Sequence, residues 1–172
     1  MLHFKYERLT HVTVPSKAHN TDAGLDFFMP SDLAYIIQNG IGIKIGMYTR
    51  KLEPTGDIIS STAIEIGPHE SVLIPMGIKT QFDDGWGLLF LNRSGIASKK
   101  HLYRGPCLVD SSYRGELKVG LTNLSNNKQY LLPGDKLIQA VFIQIPDLFI
   151  EEGIVDIDTE RGEGGFGSTD KK

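Results

Sequence analysis

At 172 residues, with 40% hydrophobic and 23% charged side chains, the chain has the size and composition of one globular domain with its own core, spanning residues 1–172. A formal net charge of -3 lacks the basic surplus of a general phosphate-backbone binder, so no nucleic-acid partner is expected. One cysteine, Cys107, excludes an internal disulfide and a multi-thiolate zinc site, while the absence of a signal-peptide core in MLHFKYERLT and of any span-length apolar run predicts a cytoplasmic protein with no membrane contact.

Nineteen glycines and eight prolines punctuate short apolar runs, a pattern that predicts an all-β barrel or sandwich. Val12 and Val14 lead into Pro15, and TDAGLD at 21–26 reads as a turn entering a strand over Leu25 to Phe28. Residues 31–65 have their own pattern. Ile41, Ile43 and Ile45 alternate, and Ile64 and Ile66 resume the alternation after turn signals at Pro54 to Asp57, which predicts a β arm. Its isoleucines need covering by the body of the protein, another subunit or a foreign partner.

Gly67 and Pro68 introduce SVLIPMGIKTQF, read as two apolar strands meeting near Pro75 to Gly77, and Asp84 with Gly85 predicts a hairpin turn. Trp86 is expected to pack on the body of the protein beside Gly87 and Leu88. After the strand GLLFLN come Arg93, Ser94 and Gly95, with IASKKH as a single helical turn. A planar guanidinium, a hydroxyl and backbone amides at a helix start suit an anion, although the serine could serve only as a cap and the arginine as an ion-pair partner. The stretch LVDSSYRGELKVGLTN at 108–123 follows: Ser111 and Ser112 make a turn, and Leu117, Val119 and Leu121 alternate as in a half-buried strand. Asp110, Tyr113, Arg114 and Glu116 cluster at that bend. QYLLPGDKLIQAVFIQI then gives a strand, a turn at Pro133 to Asp135 and a long apolar strand. The glycine-rich end, RGEGGFGST at 161–169, lacks the GK[ST] ending of a P-loop and reads as a mobile arm over 159–172. The histidines at 3, 11, 19, 69 and 101 show no metal-ligand spacing.

Five of these stretches occur in an order that resembles the five motifs of the trimeric dUTPase family: TDAGLDFF at 21–28, RSGIA at 93–97, VDSSYRGE at 109–116, GDKLIQAVF at 134–142 and RGEGGFGST at 161–169. Any one glycine-containing match would be weak, but five in order across nearly the whole chain are specific. The resemblance implies a jelly-roll-like β-barrel assembled as a homotrimer, with residues 31–65 as an inserted β arm. It also implies hydrolysis of dUTP to dUMP and pyrophosphate, which lowers dUTP and supplies dUMP for thymidylate synthesis.

Residue by residue, the resemblance makes Asp110 the catalytic base that activates water for attack at the α-phosphorus. It gives Arg93, Ser94, Gly95 and Gln139 to phosphate, and Asp26 to a magnesium ion held through water. Tyr113 would lie against the deoxyribose. From the terminal arm Arg161 would meet the outer phosphate, Phe166 would stack on uracil, and Gly167 and Ser168 would close on the nucleotide. Uracil itself would be read by backbone groups of a hairpin at Arg104 to Leu108, where Cys107 stands in place of the usual glycine. Two alternatives stand beside this one. A deoxycytidine triphosphate deaminase on the same fold needs a glutamate that has no counterpart around RSGIA. A nucleotide-sensing protein would keep the pocket and use the 31–65 arm to hold an unidentified protein partner.

Overall fold

Every second side chain of Glu116–Asn123 points inward, and Leu117, Val119 and Leu121 are buried as the alternation requires. The computed structural model describes residues 1–164, and among them eleven strands and two short helices follow in order. They are β1 (Phe4–Arg8), β2 (Leu25–Phe28), α1 (Leu33–Asn39), β3 (Lys44–Lys51), β4 (Ile58–Ile66), β5 (Ser71–Phe82) and β6 (Trp86–Asn92), then α2 (Ser94–Lys100), β7 (Leu102–Arg104), β8 (Leu108–Asp110), β9 (Glu116–Asn123), β10 (Gln129–Leu131) and β11 (Lys136–Gln144).

The strands pair antiparallel in three sheets, ordered β1-β5-β9-β7, β10-β4-β3 and β2-β11-β6-β8. All three contribute to one core: Ile74 and Val119 from the first, Ile64, Ile66 and Leu131 from the second, and Phe27, Leu88 and Ile138 from the third. Phe27 and Phe90 meet edge to face at 5.5 Å, within the range such pairs favour. The architecture is jelly-roll-like and all-β as expected, with sheets that stay open at their edges rather than closing a hydrogen-bonded barrel.

Several local expectations are corrected. The region 31–65 does hold a β arm, since β3 and β4 pair over Lys44↔Glu65 to Lys51↔Ile58 around the Pro54 to Asp57 turn. It begins, however, with α1. Asp32 caps that helix by accepting from the Tyr35 N–H at 3.1 Å, and Ile36 is fully buried beneath it. Ile41 makes only an isolated bridge to Leu73. SVLIPMGIKTQF is one strand with a register break between Pro75 and Lys79, not two strands. At that break Gly77 has φ +65, and a Cβ there would come within 2.7 Å of Thr10.

The Asp84 and Gly85 turn joins strands of different sheets, so it is not a hairpin. The same holds for Arg104 to Leu108: β7 belongs to the first sheet and β8 to the third, so the connection crosses between layers. Several of its backbone groups are already engaged, Arg104 N–H among them as a donor to Asn92 Oδ1 at 3.0 Å. Gly105 N–H donates to Gly120 O at 2.9 Å, and Cys107 O accepts from Phe90 N–H at 2.7 Å. Cys107 is absent from the residues with positive φ, so the backbone here does not demand the glycine that the resemblance leads one to expect.

Candidate functional site

The third sheet brings three separated motifs into one row. Asp26 of β2 pairs with Gln139 of β11, and Gln139 pairs in turn with Leu91 of β6, two residues before Arg93. Asp26 is 9% exposed and its two oxygens receive two cations: Arg93 Nε at 2.9 Å and Lys136 Nζ at 2.7 Å. Arg93 also donates from Nη1 to Lys136 O at 3.4 Å, and Gln139 Nε2 donates to Asn92 O at 3.4 Å. The side chains of Arg93 and Lys136 are 31% and 37% exposed, so both reach solvent from a fixed base. Two cations share the Asp26 carboxylate, and because each still reaches solvent both keep donors for an anionic ligand, while Asp22 lines the same pocket as Asp26.

Lys136 was not among the residues expected. Its signal in the sequence is its place directly after the Gly134–Asp135 turn, which starts β11 opposite Phe28 and lays the ammonium 5.5 Å from that ring's centre. Gly24 supports Gln139: a Cβ at Gly24 would lie 3.3 Å from Gln139 Oε1. Ser94 is exposed and is the first helical residue of α2, while Arg93 occupies the cap position without a side-chain bond. Ser94 is therefore not a helix cap. At Gly95 a Cβ would meet nothing within 4 Å, so the helix start borders open space.

A hard cation fits here only through water. Among the described residues no three His, Cys, Asp or Glu side chains converge on one point. A carboxylate has about four lone-pair sites, so Asp26 can accept from a hydrated ion while keeping Arg93 and Lys136.

The second cluster lies elsewhere on the same chain. Asp110 ends β8 opposite Gly87 of β6, with its carboxylate exposed and, among the described residues, not engaged by another side chain. It borders a cleft lined also by Phe90, Cys107, Val109, Tyr113, Glu116 and Lys118. Tyr113 is held in two ways. Its N–H donates to Asp110 O at 3.1 Å, and its hydroxyl donates to Glu116 O at 3.0 Å. The ring folds back over Gly115, where a Cβ would come within 2.3 Å of the hydroxyl, so the glycine of YRGE is needed for this pose. Arg114 Nη1 braces the turn by donating to the carbonyls of Ser111 and Tyr113.

The two clusters do not meet within one chain. Gly87 and Leu91 mark their positions along β6 and lie four residues apart, which at ~3.3 Å per residue is about 13 Å along the strand. Arg161 is exposed, and the one side-chain bond it makes among the described residues is to Gly164 O at 2.9 Å. Phe166, Gly167 and Ser168 lie outside the described residues. Between β11 and this end, Leu148, Phe149, Ile150, Ile154, Val155 and Ile157 are all exposed, Phe149 at 90%.

Comparison with known proteins points one way. A family model described as dUTPase matches residues 44–170. The chain is 41% identical over 112 residues to the deoxyuridine 5'-triphosphate nucleotidohydrolase of Fusobacterium nucleatum subsp. nucleatum, covering 63% of this chain and 76% of that relative. It is 31% identical over 166 residues to the enzyme of the same description from Mycolicibacterium gilvum, covering 91% and 86%. Among solved structures it is similar to the Staphylococcus bacteriophage 80alpha dUTPase with dUpNHpp, at TM-score 0.69 and 21% identity over 96% of this chain and 97% of that one. It is also similar to an aspartate-to-asparagine mutant of the dUTPase from phage phi11 of S. aureus, whose structure is described as showing a structural Mg(II) ion, at TM-score 0.66 and 18% identity over 91% and 99%.

Proposed function

Since the chain belongs to the dUTPase family, we propose that it hydrolyses dUTP to dUMP and pyrophosphate at a site shared between subunits of a homotrimer. The observation that carries this reading is the division of the site. One chain holds a cationic row around Asp26, Arg93 and Gln139 and, about 13 Å away along β6 at ~3.3 Å per residue, a separate cleft around Asp110 and Tyr113, so no single pocket of one chain gathers both sets of residues. A symmetric ring places the row of one subunit against the cleft of the next. The exposed apolar residues of 145–157 support such an assembly, because a surface of this kind needs a partner to cover it.

In that site Asp110 accepts the proton of the attacking water as its oxygen bonds to the α-phosphorus, and the bridging oxygen to pyrophosphate leaves. A general base needs only an accessible acceptor within hydrogen-bond reach, and the exposed carboxylate at the end of a strand supplies one. Arg93 and Lys136 donate to the phosphate oxygens, with Asp26 holding both cations in place before substrate arrives. Gln139 adds an uncharged donor, and Ser94 with the amide of Gly95 faces the leaving oxygens. Magnesium, when bound, offsets phosphate charge and polarises phosphoryl oxygens, and Asp26 would hold it through water. Tyr113 lies against the sugar, where its fixed ring leaves no room for a 2′-hydroxyl. From the terminal arm, Arg161 supplies a further cation to the outer phosphate, and the roles of Phe166, Gly167 and Ser168 rest on the family resemblance alone. The setting is cytoplasmic; among the described residues no helix is long and apolar enough to cross a membrane.

Mixed subunits test the shared site. Asp110→Asn and Arg93→Ala should each abolish turnover alone. Unfolded together in equal amounts and refolded, they should recover about a quarter of the wild-type sites, those that take Asp110 from one chain and Arg93 from another. No recovery in a mixture shown to contain hybrid trimers would contradict the assignment.

A further inference from the structure

The segment before residue 44 lies outside the part matched by the family model, yet α1 within it bonds to two residues that line the cleft beside Asp110. Tyr35 donates its hydroxyl to Glu116 Oε1 at 2.9 Å, across 81 positions of sequence. The same oxygen accepts the Gly77 N–H at 2.8 Å, at the break in the β5 register where the ladder leaves that amide without a strand partner. Lys118, two residues along β9, donates Nζ to Asn39 O at 3.0 Å, at the end of α1 where the helix dipole favours a cation. Glu116 and Lys118 both line the cleft that holds Asp110 and Tyr113. The Tyr113 hydroxyl itself rests on the backbone carbonyl of Glu116 at 3.0 Å. Burial and the neighbouring Glu116 carboxylate push the Tyr35 hydroxyl up to about 12, so it remains a protonated donor at neutral pH.

We propose that Tyr35 is a positioning residue for sugar selection, holding the Glu116 carboxylate out of the cleft and fixing the backbone on which Tyr113 rests. Lys118 is the second tie of the same brace. The inference rests on the reading of this cleft as the deoxyribose pocket. Its direction follows from chemistry. A Glu116 carboxylate released from Tyr35 is a strong acceptor beside the sugar, able to take a hydrogen bond from a ribose 2′-hydroxyl and so to favour UTP. A looser Tyr113 also opens the space that excludes that hydroxyl.

The test compares kcat/KM for dUTP and UTP in the wild type, Tyr35→Phe, Tyr113→Ala and the double variant, with Lys118→Met as an independent cut of the brace. Loss of a bond to a charged group predicts a fall of about tenfold in the dUTP-to-UTP ratio for Tyr35→Phe. For dUTP the loss is expected in KM with little change in kcat, since the contact is made equally in ground and transition states. Lys118→Met should lower the ratio in the same direction. On the Tyr113→Ala background Tyr35→Phe should lower the ratio by less than it does in the wild type, because the part of the effect that acts through Tyr113 is already lost. An unchanged ratio in Tyr35→Phe, or the same drop in both backgrounds, overturns the inference. A wild type that hydrolyses UTP as readily as dUTP would instead overturn the reading of the pocket, and the brace with it.

Discussion

Asp26 shows how one side chain can organise a site without touching the reacting atoms. Its carboxylate is nearly buried between Arg93 and Lys136, and each oxygen holds one cation at 2.9 and 2.7 Å. Neutralising it would leave two neighbouring cations without their shared anion. Asp26→Asn is expected to cost about 1–3 kcal/mol in urea unfolding, less than a fully buried pair because both cations reach solvent. It should also raise KM for dUTP and move the magnesium requirement to higher concentration. Unchanged stability and KM would contradict this role. Of the residues expected from the sequence, Asp110 and Tyr113 line a cleft, Gln139 lines the pocket beside Asp26, and Arg93 is paired with Asp26. Lys136 was missed because a lysine after a turn reads as a solvated strand start, and its pairing with Asp26 spans 110 positions.

Among the elements, β2 and β9 were legible because alternation and flanking turn residues are local signals. The helix α1 was not. Its isoleucines, Ile36 and Ile37, are β-branched and stand just before the strand-like alternation of Ile41, Ile43 and Ile45, whereas the features that favour a helix are the Asp32 cap and the docking of Tyr35 on β9 far away in sequence. The connections at Asp84–Gly85 and Arg104–Leu108 failed for a related reason. A glycine turn looks the same whether it folds a hairpin or carries the chain to another sheet, and only the distant pairing decides.

The docking of α1 gives this scale its own prediction. The unfolded chain loses the Tyr35 proton near 10.0, whereas the folded chain keeps it to about 12. Above pH 10 the unfolded state therefore binds fewer protons than the folded one, so this contribution to stability is complete below pH 10 and is lost as pH rises towards 12. Chemical denaturation across that window should show a steeper decline for the wild type than for Tyr35→Phe. Parallel curves would mean that the hydroxyl is not held as described.

For the whole molecule, three open sheets around one core carry the Asp26 row, the Asp110 cleft and a long exposed apolar segment beyond β11. An all-β barrel or sandwich was legible from short punctuated strands, and the family with its jelly-roll-like fold from five ordered motifs. The separation of the two clusters is visible only in the register of β6, where Gly87 lies opposite Asp110 of β8 and Leu91, four residues on, lies opposite Gln139 of β11. A protein that only sensed nucleotide would not need an accessible carboxylate beside Tyr113, and the fold supplies one at Asp110. The direct measurement is magnesium-dependent pyrophosphate release from dUTP, alongside dCTP, dTTP and UTP, with Asp110→Asn as control. Release from dUTP alone, lost in Asp110→Asn while dUTP binding persists, is the predicted result. Tight binding of dUTP by the wild type with no pyrophosphate released would contradict it.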